Sequence, residues 1–234
     1  MSFLRQFAKR VLTSCVSSDR LLTRGAINEP GQSPRLALTF DDGPHSVHTP
    51  EVLDRLRTYD LIGTFFVVGV NAERHPDLIR RISDEGHEIG NHTWSHGEPA
   101  KTSPREFLDE VRRTDDLIER LTGRTTTSMR PPKGELNWRK LSGLWQMKKT
   151  VALWNVDPRD YRMQAADDVF RWCRSYEPSA GDVLLFHDNH PWAERAIREL
   201  AIRDVLTSFE CVEISSLAGN REFVRRENTA VVPV

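Results

Sequence analysis

RLALTFDDGPHSVHTPEVLDRLRTYDLIGTFFVVG, residues 35–69, decides the architecture. RLALTF is a short apolar run and reads as a strand. TPEVLDRLRTY has helical periodicity, with Thr49 as its cap and Pro50 at its first position. GTFFVVG is an unbroken apolar run, as expected of a strand covered on both faces. Strand, helix and strand in so few residues make a parallel βαβ unit.

The alternation continues outward from that unit. HPDLIRRISDEG reads as a helix ended by Gly86 and HEIGNH as a third strand. SPREFLDEVRRTDDLIERLTG is the longest helix, capped by Ser103 and stopped at Gly123. TSMR, VALWNV, GDVLLFHD and FECVEIS supply the fourth to seventh strands, with helical segments NWRKLSGLWQMKK, AADDVFRWCRSY and PWAERAIRELAIRD between them. Some seven strand–helix units are short of a complete eight-fold barrel. The expected fold is α/β, a distorted, incomplete (β/α) barrel of about seven parallel strands, with a doubly wound open sheet as the alternative.

Residues 1–34 stand apart. Phe3, Leu4, Phe7, Val11 and Leu12 recur at helical spacing with Arg5, Lys9 and Arg10 between them, and a turn-rich linker, NEPGQSP, follows. The expectation is an N-terminal amphipathic helix and linker over 1–34 and one domain over 35–234. The helix packs on the domain or, through residues 1–22, touches a membrane surface peripherally. Its basic and apolar residues interleave, so it lacks the continuous apolar stretch of a secretory signal, and the expectation is a cytoplasmic place, either free or peripheral at the inner membrane face.

Composition narrows the function. The 234 residues carry 33 Lys+Arg against 34 Asp+Glu, a formal net charge of -1, so no global basic excess favours nucleic acid. No apolar run approaches the ~18 residues of a membrane span. Cys15, Cys173 and Cys211 are widely spaced, which argues against a disulfide framework or cysteine-bound zinc.

In either fold, reactive groups belong at the carboxyl ends of the strands. There the chain places Asp41-Asp42-Gly43-Pro44, Asn91-His92, Arg130-Pro131-Pro132, Asp157-Pro158-Arg159-Asp160 and His187-Asp188. His92 and His96 are four apart, so one helical turn would aim both imidazoles the same way. With a carboxylate from Asp41 or Asp42 they would make a catalytic metal site with open positions.

TFDDGP (39–44), HTWSH (92–96), RPPKG (130–134), DPRDY (157–161) and LFH (185–187), in this order, resemble the five motifs of the polysaccharide deacetylases, the NodB-homology enzymes of carbohydrate esterase family four. The resemblance spans roughly Leu36 to Ile214. It implies a NodB-type barrel and a hydrolase that removes N-acetyl groups from amino-sugar units of a poly- or oligosaccharide or lipid-linked glycan. It implies that Asp42, His92 and His96 bind one divalent metal; Zn²⁺ fits, and Co²⁺, Mn²⁺ or Ni²⁺ would also suit the ligands. Asp41 would be the general base and Arg130 the cation that keeps it ionised and oriented. His187 would be the general acid, oriented by Asp160; Asp157 competes for that role, but the D-x-x-D-aromatic spacing favours Asp160. Pro131, Lys133, Tyr161 and Leu185 would line the substrate site, the last two forming a pocket for the acetyl methyl.

The chain departs from the family at Lys133, where an aromatic residue is usual, and at Tyr161, where tryptophan is. The backbone N–H at Lys133 would still serve the oxyanion, while its side chain either points outward as an ordinary surface lysine, the favoured reading, or makes an anionic or phosphate-bearing substrate more plausible. His45, His48 and His190 read as rim or structural residues, His75 and His87 as structural. Three other readings stay open: the same scaffold acting on a formamide or an O-acetyl ester, a catalytically silent glycan-binding domain, and a membrane-surface scaffold. The sequence leaves the oligomeric state undefined.

Overall fold

The computed structural model describes residues 16–25 and 33–219. The amphipathic segment predicted within residues 1–22 falls largely outside them. All seven expected strands are present, and an eighth precedes them. The elements are β1 (Leu21–Leu22), β2 (Arg35–Asp41), α1 (His48–Thr58), β3 (Gly63–Val67), α2 (Gly69–Arg74), α3 (Pro76–Asp84), β4 (Glu88–Asn91) and α4 (Pro104–Thr122). They continue as β5 (Ser128–Met129), α5 (Trp138–Gln146), β6 (Thr150–Ala152), α6 (Ala166–Ser175), β7 (Val183–His187), α7 (Trp192–Ile202), β8 (Glu210–Cys211) and α8 (Ile214–Leu217).

Strand order is β1-β6-β5-β4-β3-β2-β7, all pairs parallel, with β8 paired to the start of β2. From β2 to β6 each strand lies beside its sequence neighbour. A doubly wound sheet would reverse that order at a switch point; here it never reverses, so the sheet curls into a distorted, incomplete barrel. A lone bridge between Val156 and Leu184 spans the gap beside β7.

The period of two along β2 explains both faces. Leu36, Leu38 and Phe40 point outward into a core shared with Val52, Leu53 and Leu56 of α1 and Ile197 and Leu200 of α7. Ala37 points inward to a smaller cluster with Phe66, Val183, Ile214 and Leu217. Thr39 and Asp41 continue that inner face, so alternation alone delivers Asp41 into the barrel interior.

Local readings differ from the structure in several places. Leu21–Leu22, placed in the N-terminal segment on sequence, hydrogen-bonds as a strand beside Val151 and Ala152, and Leu22 is fully buried. FECVEIS gives only two strand residues before the chain turns into α8, which closes the barrel floor. Helix α1 starts at His48 and Thr49 is not its cap. His45 Nδ1 accepts the N–H groups of Val47 and His48 instead, while Thr49 Oγ1 donates to the buried Asp188 at 2.5 Å.

The barrel floor holds Glu88. Its Oε2 accepts from Thr64 Oγ1 (3.2 Å) and the Ser215 N–H (3.0 Å), and the buried Ser128 hydroxyl lies beside the same carboxyl. Burial pushes this carboxyl's pKa up. Its stabilising contribution is therefore complete below the unfolded pKa of ~4.3 and lost as pH rises toward the raised folded value. Glu88→Gln keeps the acceptor and never ionises. Its Tm should match the native chain near pH 4 and exceed it by roughly 2–4 °C near pH 8, as expected for about 1 kcal/mol in a domain of this size. An equal Tm difference at both pH values, measured by calorimetry, would show that folding does not raise the Glu88 pKa.

Candidate active site

Strand ends bring the five motifs to one rim. Asp41 ends β2 beside His187 of β7, the two in register. Asp41 is 4% exposed and Arg130, just past β5, is fully buried. The guanidinium is held on all sides: Nη1 donates to Asp41 Oδ1 (2.7 Å) and Thr39 Oγ1 (2.8 Å), Nε to the Ala152 carbonyl (3.1 Å) and Nη2 to the Leu153 carbonyl (3.1 Å). It also lies 4.2 Å over the Phe66 ring. A buried cation is tolerated only with such pairing. Arg130 thereby occupies one Asp41 oxygen and leaves Oδ2 facing His92, 3.7 Å from its Nε2.

Asp42 has a left-handed backbone (φ 73°), turning its carboxylate away from Asp41. Asn71 Nδ2 donates to its carbonyl at 2.9 Å and Asn189 Nδ2 to its Oδ2 at 3.3 Å. Its Oδ1 is buried without a hydrogen-bond donor, and the Nε2 atoms of His92 and His96 each lie 3.4 Å from it. Donors around a tetrahedral ion at ~2.0–2.1 Å sit about 3.3–3.4 Å apart. His92 Nδ1 donates to the Arg130 carbonyl at 2.7 Å, which fixes the tautomer and leaves Nε2 as a free lone pair. The three donor atoms lie within 4.8 Å of one another and fit a single metal ion. Burial opposes the Asp42 charge, but His92, His96 and His187 outweigh it and hold its carboxyl well below the usual range.

HTWSH is not helical. Thr93 (φ 67°) and His96 (φ 54°) are left-handed, and the loop folds back so that the two imidazoles meet at 4.9 Å between centroids. Glu110 of α4 clamps the loop: it accepts from the N–H groups of Trp94 (3.1 Å) and Ser95 (3.0 Å) and from Ser95 Oγ (2.7 Å). Sequence reading missed Glu110, Asn71 and Asn189. Each lies outside the motif it steadies, and only the spacing of Glu110 on an otherwise exposed helix face offered a hint.

Across the rim, His187 Nδ1 lies 2.7 Å from Asp160 Oδ1, and the His187 N–H donates to Oδ2 at 2.7 Å. Asp157 is exposed and accepts from the Arg159 N–H instead. Burial disfavours the imidazolium, yet the Asp160 hydrogen bond and the charges of Asp160, Asp41 and Asp42 prevail, raising the His187 pKa to about 9. Tyr161 stands edge-on to His187 at 5.5 Å, and Leu185 shares the inner face of β7 with it. Pro131 is buried, and Lys133 is exposed in a left-handed turn (φ 57°). Lys133 Nζ meets Glu98 Oε2 at 2.5 Å, which matches its charge and removes the argument for an anionic substrate.

The geometry has counterparts among known proteins. Residues 28–152 match the family described as polysaccharide deacetylase. The chain belongs to that family. Among polysaccharide deacetylases, a peptidoglycan-N-acetylglucosamine deacetylase of Bacillus cereus is 38% identical over 144 residues, covering 62% of this chain and 52% of the relative. A chitooligosaccharide deacetylase of Bradyrhizobium is 35% identical, covering 71% and 77%. The solved structure of the peptidoglycan deacetylase PdaC from Bacillus subtilis matches with a TM-score of 0.74 at 34% identity, covering 82% of this chain and 93% of that one. The chain spans about half the length of the Bacillus cereus relative and 38% of the PdaC sequence. Among the described residues, no helix is long and apolar enough to cross a membrane.

Proposed function

We propose that this chain is a metal-dependent hydrolase that cleaves N-acetyl groups from amino-sugar units of a glycan, giving acetate and a free amine. The observation that carries the reading is the arrangement of Asp41, Asp42, His92, His96, Arg130, Asp160 and His187 on one rim, a base, a metal donor set and an acid together. A glycan-binding domain needs no such combination. The substrate class rests on relatives named for N-acetylglucosamine in peptidoglycan and for chitooligosaccharides.

Asp42, His92 and His96 would hold the metal, Zn²⁺ by the chemistry of its donors, with Co²⁺, Mn²⁺ or Ni²⁺ also suited. When bound, it supplies a Lewis acid that polarises the acetamide and acidifies the attacking water. Asp41 accepts that water's proton on Oδ2, because Arg130 ties up Oδ1. The backbone N–H of Lys133 donates to the developing oxyanion, a role indifferent to its side chain. As the C–N bond breaks, His187 delivers the Nε2 proton to the departing nitrogen, its Nδ1 being engaged by Asp160. Tyr161 and Leu185 bound the space for the acetyl methyl.

The test is acetate release from N-acetylglucosamine oligomers, peptidoglycan fragments and lipid-linked sugars, each with added Zn²⁺, Co²⁺, Mn²⁺ or Ni²⁺. Release from at least one N-acetyl substrate, dependent on metal, is the expected result. Turnover confined to formamides or O-acetyl esters would redirect the reading to another acyl group, and none with any substrate would overturn it.

A further inference from the structure

A second group of metal-binding side chains lies beside the first. Asp160, in the turn after β6, His187, at the end of β7, and His190, just ahead of α7, each offer one donor atom, all within 4.8 Å of one another. Asp160 uses both oxygens to face the pair: Oδ1 is 2.7 Å from His187 Nδ1 and Oδ2 is 3.9 Å from His190 Nε2. The two rings stand 5.8 Å apart. Both ring nitrogens of His190 are buried and have no hydrogen-bond partner. Buried imidazole nitrogens are ordinarily satisfied, so His190, whose Nε2 lies 3.9 Å from Asp160 Oδ2, keeps a ring nitrogen available for a ligand. Two imidazoles and one carboxylate are a donor set for a transition metal.

We propose that Asp160, His187 and His190 form a second, weaker site for a divalent transition metal, and that filling it inhibits the enzyme by withdrawing His187 from proton transfer. The site is the weaker of the two because Asp160 already accepts the backbone N–H groups of His187 (2.7 Å) and Tyr161 (2.9 Å), and His187 Nδ1 must surrender its hydrogen bond to Asp160 before it can coordinate. At the first site, by contrast, Asp42 Oδ1 is free of donors. The inhibitory effect rests on the role assigned to His187; the binding does not.

Calorimetric titration of the metal-stripped chain with Zn²⁺ tests the site without reference to turnover. The native chain should take up two equivalents, one tight and one weaker. His190→Gln should keep the tight equivalent and bind the second more than ~100-fold more weakly, beyond the loss typical of an outer partner. Asp42→Asn should lose the tight equivalent and keep the other. In acetate release, with each protein normalised to its own rate at one equivalent, excess Zn²⁺ should slow the native chain and spare His190→Gln. A native chain that binds one equivalent, or a His190→Gln variant that still binds two, would overturn the second site while leaving the proposed activity standing. Two equivalents bound with no slowing would overturn the inhibition. Absence of acetate release under every condition would overturn the proposed activity alone, since the binding results stand by themselves.

Discussion

Asp42→Asn should abolish tight metal binding and slow acetate release by at least ~10³-fold, the loss expected when several kcal/mol of charge stabilisation disappear. The side chain keeps its shape and its contact with Asn189, and asparagine tolerates the left-handed backbone that position 42 adopts (φ 73°). What goes is the negative charge of the oxygen shared by the two imidazoles. His92→Ala should reach the same kinetic outcome but is the less clean variant. It strips the buried Arg130 carbonyl of its 2.7 Å donor, a loss of about 1–3 kcal/mol in stability that would accompany the loss of metal. Metal content after dialysis, calorimetry with Zn²⁺ and acetate release on the same samples separate the two effects. A rigorously metal-free native chain that works at full rate would show that Asp42, His92 and His96 serve some other purpose.

The strand ends were legible because two local rules compound. Apolar runs mark the strands, and alternation along β2 then places Thr39 and Asp41 inside once Leu36, Leu38 and Phe40 are outside. Polar blocks after β2, β4, β5 and β7 therefore had to converge on one rim. What stayed hidden depends on partners remote in sequence. HTWSH carries spacing that a helix would also satisfy, and partners outside it hold its bent form: Glu110 on a helix downstream, Asn91 Oδ1, which accepts the Thr93 N–H, and the Gly69 and Val70 N–H groups, which donate to the Thr93 and Trp94 carbonyls. Lys133 reads as a free cation until the loop bearing Glu98 is folded beside it. Leu21–Leu22 is too short for any periodicity and becomes a strand only because β6 offers an unpaired edge. Glu213-Ile214-Ser215 continues an apolar alternation, yet the barrel floor takes it as a helix, with the Ile214 N–H bonded to Thr64 Oγ1 and the Ser215 N–H to Glu88.

The proton transfer to the leaving group is where the proposed mechanism is most exposed. His187 must be protonated to act, so activity should fall as pH rises through its pKa. Without metal, burial lowers that pKa while Asp160, Asp41 and Asp42 raise it further, to about 9. A bound divalent cation offsets the charges of Asp41 and Asp42, so in the working enzyme the alkaline limb should lie between the ordinary histidine value of ~6.5 and about 9. Asp160→Asn removes the charged hydrogen-bond partner and leaves the burial, so the limb should move to lower pH by at least ~1 unit, with the acidic limb unchanged. Loss of structure would lower the whole profile without displacing one limb, which distinguishes the two causes. His187→Ala should slow amide hydrolysis by ~10²–10⁴-fold, the usual worth of one positioned acid. The same variant should cost an activated aryl ester far less, because its departing phenolate needs no proton. Equal slowing of amide and ester would place the acid elsewhere.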